Sequence, residues 1–162
     1  MINTLIIFGA KYLFLAIIII ALGFIIFSKR ERQKDLIVFF LMALPLIYVF
    51  AKIISLFYFN ERPFVVGNFA PLIPHAPDNG FPSDHTLISA AIASVIIFYD
   101  KKVGIVLWIL TVLVGISRVL SGVHHTIDII ASMIISLLVA WLLYTYIMPI
   151  IKKQKSYINF WK

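Results

Sequence analysis

The chain has 162 residues, no cysteine, a formal charge of +7 and a 62% hydrophobic composition, with a mean hydropathy of +1.05. A chain this apolar lies outside the averages of soluble globular proteins, and its length fits one membrane-embedded domain over residues 1–162. The absence of thiols excludes a disulfide framework and a thiolate metal site.

The first apolar run, Leu5–Phe27, is long enough to cross a bilayer core. It lacks a basic stretch followed by a small-residue cleavage site, so no removable signal peptide is expected. A short loop, Ser28–Asp35, carries Lys29, Arg30, Arg32 and Lys34. The second run, Leu36–Phe59, contains Lys52. The following Asn60–Gly80 stretch is punctuated by Pro63, Gly67, Pro71, Pro74, Pro77 and Gly80, which predicts an ordered, turn-rich loop rather than helix. Phe81–Tyr99 is the third run, and Lys101 and Lys102 precede the fourth, Val103–Leu120. The link Ser121–Thr126 leads to the fifth, Ile127–Ile150, and to a tail with Lys152, Lys153, Lys155 and Lys162. The expected fold is therefore all-α: a polytopic transmembrane helix bundle of about five spans. These runs are apolar all round, so periodicity does not sharpen their ends.

Ten of the fourteen cationic residues fall in alternate loops and the tail. The positive-inside rule makes that side cytoplasmic. The charge is thus read as topogenic, and a nucleic-acid partner is not expected. The N-terminus and the Asn60–Gly80 loop then lie outside, and Arg62, His85, Arg118, His124 and Asp128 converge on the outer leaflet.

Ionisable groups at membrane depth are costly and mark function unless a partner explains them. His124 and Asp128 are four apart and share a helical face. A carboxylate on one imidazole nitrogen would fix the tautomer and free the other as nucleophile or base. The plainer alternative is a capped helix whose Asp offsets the dipole. Two nearby arginines favour the chemical reading, because Arg62 and Arg118 each offer a planar fork of donors to phosphate oxygens. Their alternative, interfacial snorkelling, is weak on a side almost free of other cations. Ser83 is placed to cap the third helix, whose open N–H groups would hold an anion, and His85 just inside it can donate a proton. A metal site built from His85, His124, His125 and Asp128 matches no zinc pattern, and flanking arginines would repel a divalent ion. His125 is read as a bystander and His75 as a loop residue, with a headgroup contact open to either.

Three blocks of these residues resemble the type-2 phosphatidic acid phosphatase superfamily. Arg62–Pro63 matches the end of its first block. Ser117–Arg118, five residues, His124, three residues and Asp128 match its third completely. The second block reads Pro82–Ser83–Asp84–His85, with Asp84 where the family usually has Gly. The family's first-block Lys falls on Ser55 here, and Lys52, one turn earlier, is the candidate substitute. Glu61–Arg62–Pro63–Phe64–Val65, Leu72–Ile73–Pro74–His75 and Phe81–Pro82–Ser83–Asp84–His85–Thr86 look most like the bacitracin-resistance type of undecaprenyl-diphosphatase, which makes Asp84 a subgroup trait.

The resemblance implies an enzyme of a bacterial plasma membrane that hydrolyses a polyprenyl diphosphate lipid without a cofactor or metal, through a phosphohistidine. His124 would attack the terminal phosphorus, Asp128 orient it and His85 protonate the departing lipid phosphate. Arg62, Arg118, Ser83 and Lys52 would bind the phosphate. Two other readings stand beside it: a phosphatase for glycerolipid phosphates such as phosphatidylglycerophosphate, and a catalytically silent lipid-phosphate binder or transporter. The complete His–Asp–Arg set argues against silence. Sequence leaves the oligomeric state open.

Overall fold

A computed structural model describes residues 1–154; Lys155 and Lys162 of the basic tail lie outside the described residues. Those residues form an all-helical assembly. Two helices, α1 (Ile2–Lys11) and α2 (Leu13–Ile26), are followed by the long α3 (Arg30–Phe57) and a single turn, α4 (Pro63–Val66). Next come α5 (Asp84–Ile97), α6 (Lys101–Leu120) and α7 (Thr126–Leu142), the last running through a π-helical turn (Leu143–Ile147) into α8 (Met148–Lys153).

All five expected apolar runs are helical, but they are not five equivalent spans. Among the described residues three helical stretches are long and apolar enough to cross a membrane: α3, α6 and the continuous stretch from Thr126 to Lys153. The first run is a bent pair, α1 and α2 meeting at 49°, and counts as a fourth span only if taken together. α5 has 14 residues, which at ~1.5 Å per residue falls short of a bilayer core of ~30 Å.

The short helix is the axis of the bundle. Its Ser89, Ala90, Ala91, Ala93 and Ser94 are buried, and small side chains let α2, α3, α6 and α7 approach closely. Ser132 and Ser136 of α7 donate hydroxyl hydrogen bonds to the carbonyls of Ser83 (3.0 Å) and Leu87 (3.1 Å). Apolar packing completes the join, with Phe39, Ile47, Leu87 and Val95 in one cluster and Ile17, Ile96, Leu107 and Val114 in another. The outward faces of α3 and α6 stay apolar and exposed, as with Leu41, Ile53, Ile105 and Ile109. Such faces suit lipid rather than water.

The basic segments gather at one end of the bundle. Lys152 of α8 pairs with Asp35 of α3, and its ammonium lies 5.7 Å from the Tyr99 ring. At the opposite end the 60–80 loop folds over the helix termini. Asn79 ties it down, its side-chain oxygen accepting from the backbone N–H of Asn60 (2.9 Å) and Phe81 (3.0 Å). As expected from its turn residues, the loop holds one helical turn and is otherwise irregular. A small core of Ala10, Ile73 and Val123 seats it against the end of α1 and the α6–α7 turn.

Candidate active site

The α6–α7 turn carries His124. Gly122 has a positive φ of 79°, a conformation that costs glycine no Cβ strain. The turn aims His124 inward, leaving it 2% exposed. Its Nδ1 lies 2.9 Å from the carbonyl of Gly80 and 3.4 Å from Oδ2 of Asp128. Its Nε2 faces Nη2 of Arg118 at 3.2 Å and Nη1 of Arg62 at 3.4 Å. Both neighbours of Nδ1 only accept and both neighbours of Nε2 only donate, so the proton belongs on Nδ1 and the lone pair on Nε2. Burial, together with the two guanidinium charges, holds the His124 pKa below the ordinary imidazole value, against the pull of Asp128.

Asp128 is fully buried. The sequence suggested that it serves the imidazole; the structure gives it three neighbours. Oδ1 accepts from Nδ2 of Asn60 at 2.7 Å, and Oδ2 accepts from the backbone N–H of His125 at 2.9 Å, which caps α7. The imidazole is the third and most distant. The carboxylate therefore caps α7 and also stands beside the imidazole.

Arg62 and Arg118 are 4% and 3% exposed, and from separate segments of the chain they reach one point at Nε2 of His124. Arg62 donates from Nε to Asp78 at 2.8 Å and from Nη1 to the Val123 carbonyl at 2.8 Å. Arg118 donates from Nη1 to the Ala10 carbonyl at 3.3 Å, while its Nε is buried with no hydrogen-bond partner among the described residues. α1 comes close enough to supply that carbonyl because residue 9 is glycine: a Cβ there would sit 2.2 Å from Oγ of Ser117. Among the described residues a single carboxylate pairs directly with these two buried guanidinium groups, which leaves an excess of positive charge that an anion would relieve.

Ser83 occupies the position before α5 but makes no side-chain cap; its hydroxyl accepts from Thr86 Oγ1 at 3.2 Å. The expected cap is thus absent, which leaves the first-turn N–H groups of α5 open to an anion. His85 packs edge-on against Phe14 of α2, ring centres 4.7 Å apart. Its ring nitrogens have no hydrogen-bond partner among the described residues, and it lies within electrostatic reach of Arg118 and His124. Lys52 is placed differently from the arginines. Its ammonium is 3.5 Å from Oδ1 of Asp84 and 5.2 Å from the Tyr48 ring centre.

Several participants carry no chemical signature in the sequence. Asn60, Asp78 and Gly80 read only as turn residues, and Ala10 and Phe14 only as lipid-facing apolar positions. His75, read as a loop residue, stands edge-on to His124 with ring centres 6.0 Å apart. Burial and then the charge of Arg62 lower its pKa. Its neighbour Asp78 is held below the usual carboxylate range, where burial opposes and the Arg62 hydrogen bond and charge prevail. His125 anchors the loop, its Nε2 3.0 Å from the Glu61 carbonyl. Among the described residues no three His, Asp or Glu side chains come together as a metal-binding group.

Residues 36–152 match the sequence pattern of the PAP2 superfamily. Over 144 residues the chain is 31% identical to undecaprenyl-diphosphatase BcrC of Bacillus subtilis (strain 168), covering 89% of this chain and 74% of that protein. The crystal structure of a PAP2-type phosphatidylglycerolphosphate phosphatase from Bacillus subtilis superposes with a TM-score of 0.57 at 27% identity, covering 95% of this chain and 77% of the other. That of Aquifex aeolicus LpxE superposes with a TM-score of 0.66 at 23% identity, over 88% and 82% of the two chains, and shares the fold.

Proposed function

The chain belongs to the PAP2 superfamily and is an integral membrane phosphatase, and from that premise we propose that it hydrolyses undecaprenyl diphosphate to undecaprenyl phosphate on the outer face of a bacterial plasma membrane. The observation that carries the reading is the lone pair of His124 Nε2 set between two buried guanidinium groups. Nothing in such a pocket favours a proton on Nε2, and everything in it favours a phosphoryl group.

In the proposed reaction Nε2 of His124 attacks the terminal phosphorus. The bond from phosphorus to the bridging oxygen breaks, and protonated His85 gives its proton to that oxygen as the lipid phosphate leaves. Arg62, Arg118 and the N-terminus of α5 at Ser83 hold the three equatorial oxygens, where a loose phosphoryl-transfer state concentrates charge. The hydrogen bond from Nδ1 to Gly80 and the nearby Asp128 carboxylate support the positive charge that the imidazole gains. Water then attacks the phosphohistidine, gives its proton to His85 and releases inorganic phosphate. Fixed cations supply the charge that a metal supplies elsewhere, so the reaction is proposed to be metal-independent.

The outer-face placement is supported by the separation of the site from the end where Asp35, Tyr99 and Lys152 meet. A glycerolipid-phosphate substrate is the second reading, favoured by the 27% identity to the phosphatidylglycerolphosphate phosphatase. Purified protein offered undecaprenyl diphosphate and phosphatidylglycerophosphate separately, with released phosphate measured with and without EDTA, tests all of this. Faster turnover of the diphosphate, unchanged by EDTA, is expected. Preference for the glycerolipid would establish the second reading, and loss of activity in EDTA restored by a divalent ion would overturn metal independence.

A further inference from the structure

Two departures from the family's motif blocks touch each other. Asp84 stands where glycine is usual and Lys52 stands off the usual lysine position, and their side chains pair at 3.5 Å. Asp84 is the first residue of α5 and directly precedes His85. Its charge reaches both His85 and Arg118. A carboxylate there competes with a substrate phosphate for the open helix terminus, so it needs a cation beside it. Lys52 is that cation, yet the pair is not sealed: the side chains are 48% and 59% exposed. Exposed pairs of this kind are weak, and a flexible lysine exchanges partners readily.

The position of the pair matters more than its strength. In-line attack by His124 sends the departing group to the side marked by His85. Asp84 is the neighbour of His85, so Lys52 stands at the mouth on that same side. In a diphosphate substrate the departing group is itself a phosphate, whereas a monophosphate ester presents only an alcohol oxygen there.

We propose that Lys52, held in place by Asp84, forms the subsite for the lipid-side phosphate of a diphosphate substrate and so sets the preference for diphosphate over monophosphate lipids. The inference rests on the phosphatase reading above. Lys52 binds the departing phosphate, not the equatorial oxygens that the arginines hold. Asp84 keeps the ammonium beside the first turn of α5.

The test compares kcat/KM on undecaprenyl diphosphate and undecaprenyl monophosphate, presented in the same detergent, for the parent and four variants. Lys52→Met should lower the diphosphate-to-monophosphate ratio by about 10- to 100-fold, the effect of one charge-assisted hydrogen bond. Lys52→Arg keeps the charge and should stay within about threefold of the parental ratio. Asp84→Gly should favour the monophosphate, and adding it to Lys52→Met should restore monophosphate turnover without restoring the ratio. A ratio within about threefold of the parent in both Lys52→Met and the double variant would overturn the subsite. A parent that hydrolyses neither lipid would overturn the undecaprenyl-diphosphatase reading, and the subsite with it.

Discussion

The Nδ1 atom of His124 lies 2.9 Å from the carbonyl oxygen of Gly80, nearer than the 3.4 Å that separates it from Asp128. A backbone carbonyl, fixed by the loop that Asn79 pins, therefore does much of the orienting that the motif would assign to the carboxylate. Asp128→Asn should then leave the ring in place and remove mainly charge support. We expect kcat to fall by about 10- to 100-fold, roughly 1.4–2.8 kcal/mol of barrier, with KM little changed. Steady-state kinetics checks it; a variant with parental kcat and a raised KM would contradict the assignment.

The same variant predicts a pH effect of definite sign. Burial and the arginines lower the His124 pKa, and Asp128 opposes them. The acidic limb of kcat/KM in the parent should therefore lie below the ordinary imidazole value of about 6.5, because His124 must be neutral to attack. Removing the Asp128 charge removes an upward influence, so the limb should move to still lower pH. An upward move in Asp128→Asn would show that the limb belongs to another group.

Among the described residues, Arg118 has a buried Nε without a partner and a guanidinium that no carboxylate directly pairs. Inorganic phosphate should relieve that charge, so it should raise the thermal midpoint of the detergent-purified protein in proportion to ln(1 + [L]/Kd). Arg118→Met should lose this rise along with activity, while Arg118→Lys, which keeps charge but not the fork, should recover only part of both. A phosphate-dependent shift that persists unchanged in Arg118→Met would place the anion elsewhere.

Gly9 tests the contribution of α1, which precedes the matched residues 36–152. A Cβ at Gly9 would meet Oγ of Ser117 at 2.2 Å and its Cβ at 2.9 Å. Gly9→Ala should push α1 from α6, destabilise the protein by about 1–3 kcal/mol, and lower activity by loosening the Ala10 contact to Arg118. Adding Ser117→Gly makes room and should recover a good part of both losses, read by thermal denaturation and phosphate release. Full stability and activity in Gly9→Ala alone would mean that α1 does not position Arg118.

The membrane orientation can be checked in this cysteine-free chain with single cysteines at Ala76, exposed on the loop, and Lys101, exposed at the opposite end. In intact cells an impermeant thiol reagent should label position 76 and spare 101. The reverse pattern would invert the orientation drawn from the positive-inside rule.

The helical class and the cluster of Arg62, Arg118, His124 and Asp128 were legible in the sequence, because ionisable residues stand out sharply against Ile, Leu and Phe. The bend at Tyr12 was not, since α2 is apolar on every side and no period or proline marks the break. The shortness of α5 was hidden similarly: Phe81–Pro82–Ser83 extends its apolar run without being helix. Gly80 acts through a carbonyl that every residue possesses, so no side-chain signal announces it. Lys52 was placed by spacing along α3 alone, and its partner Asp84 lies 32 residues away.

Covalent attack by His124 is the centre of this account, and trapping the intermediate tests it most directly. Undecaprenyl diphosphate labelled in the terminal phosphate should be mixed with the enzyme, quenched within one turnover in alkali, and the protein-bound label mapped to a peptide. The account predicts label on His124, none in His124→Ala, and turnover in that variant below about 1% of the parent. Brisk turnover with no label on His124, or a His124→Ala protein that still releases phosphate at a substantial rate, would contradict it.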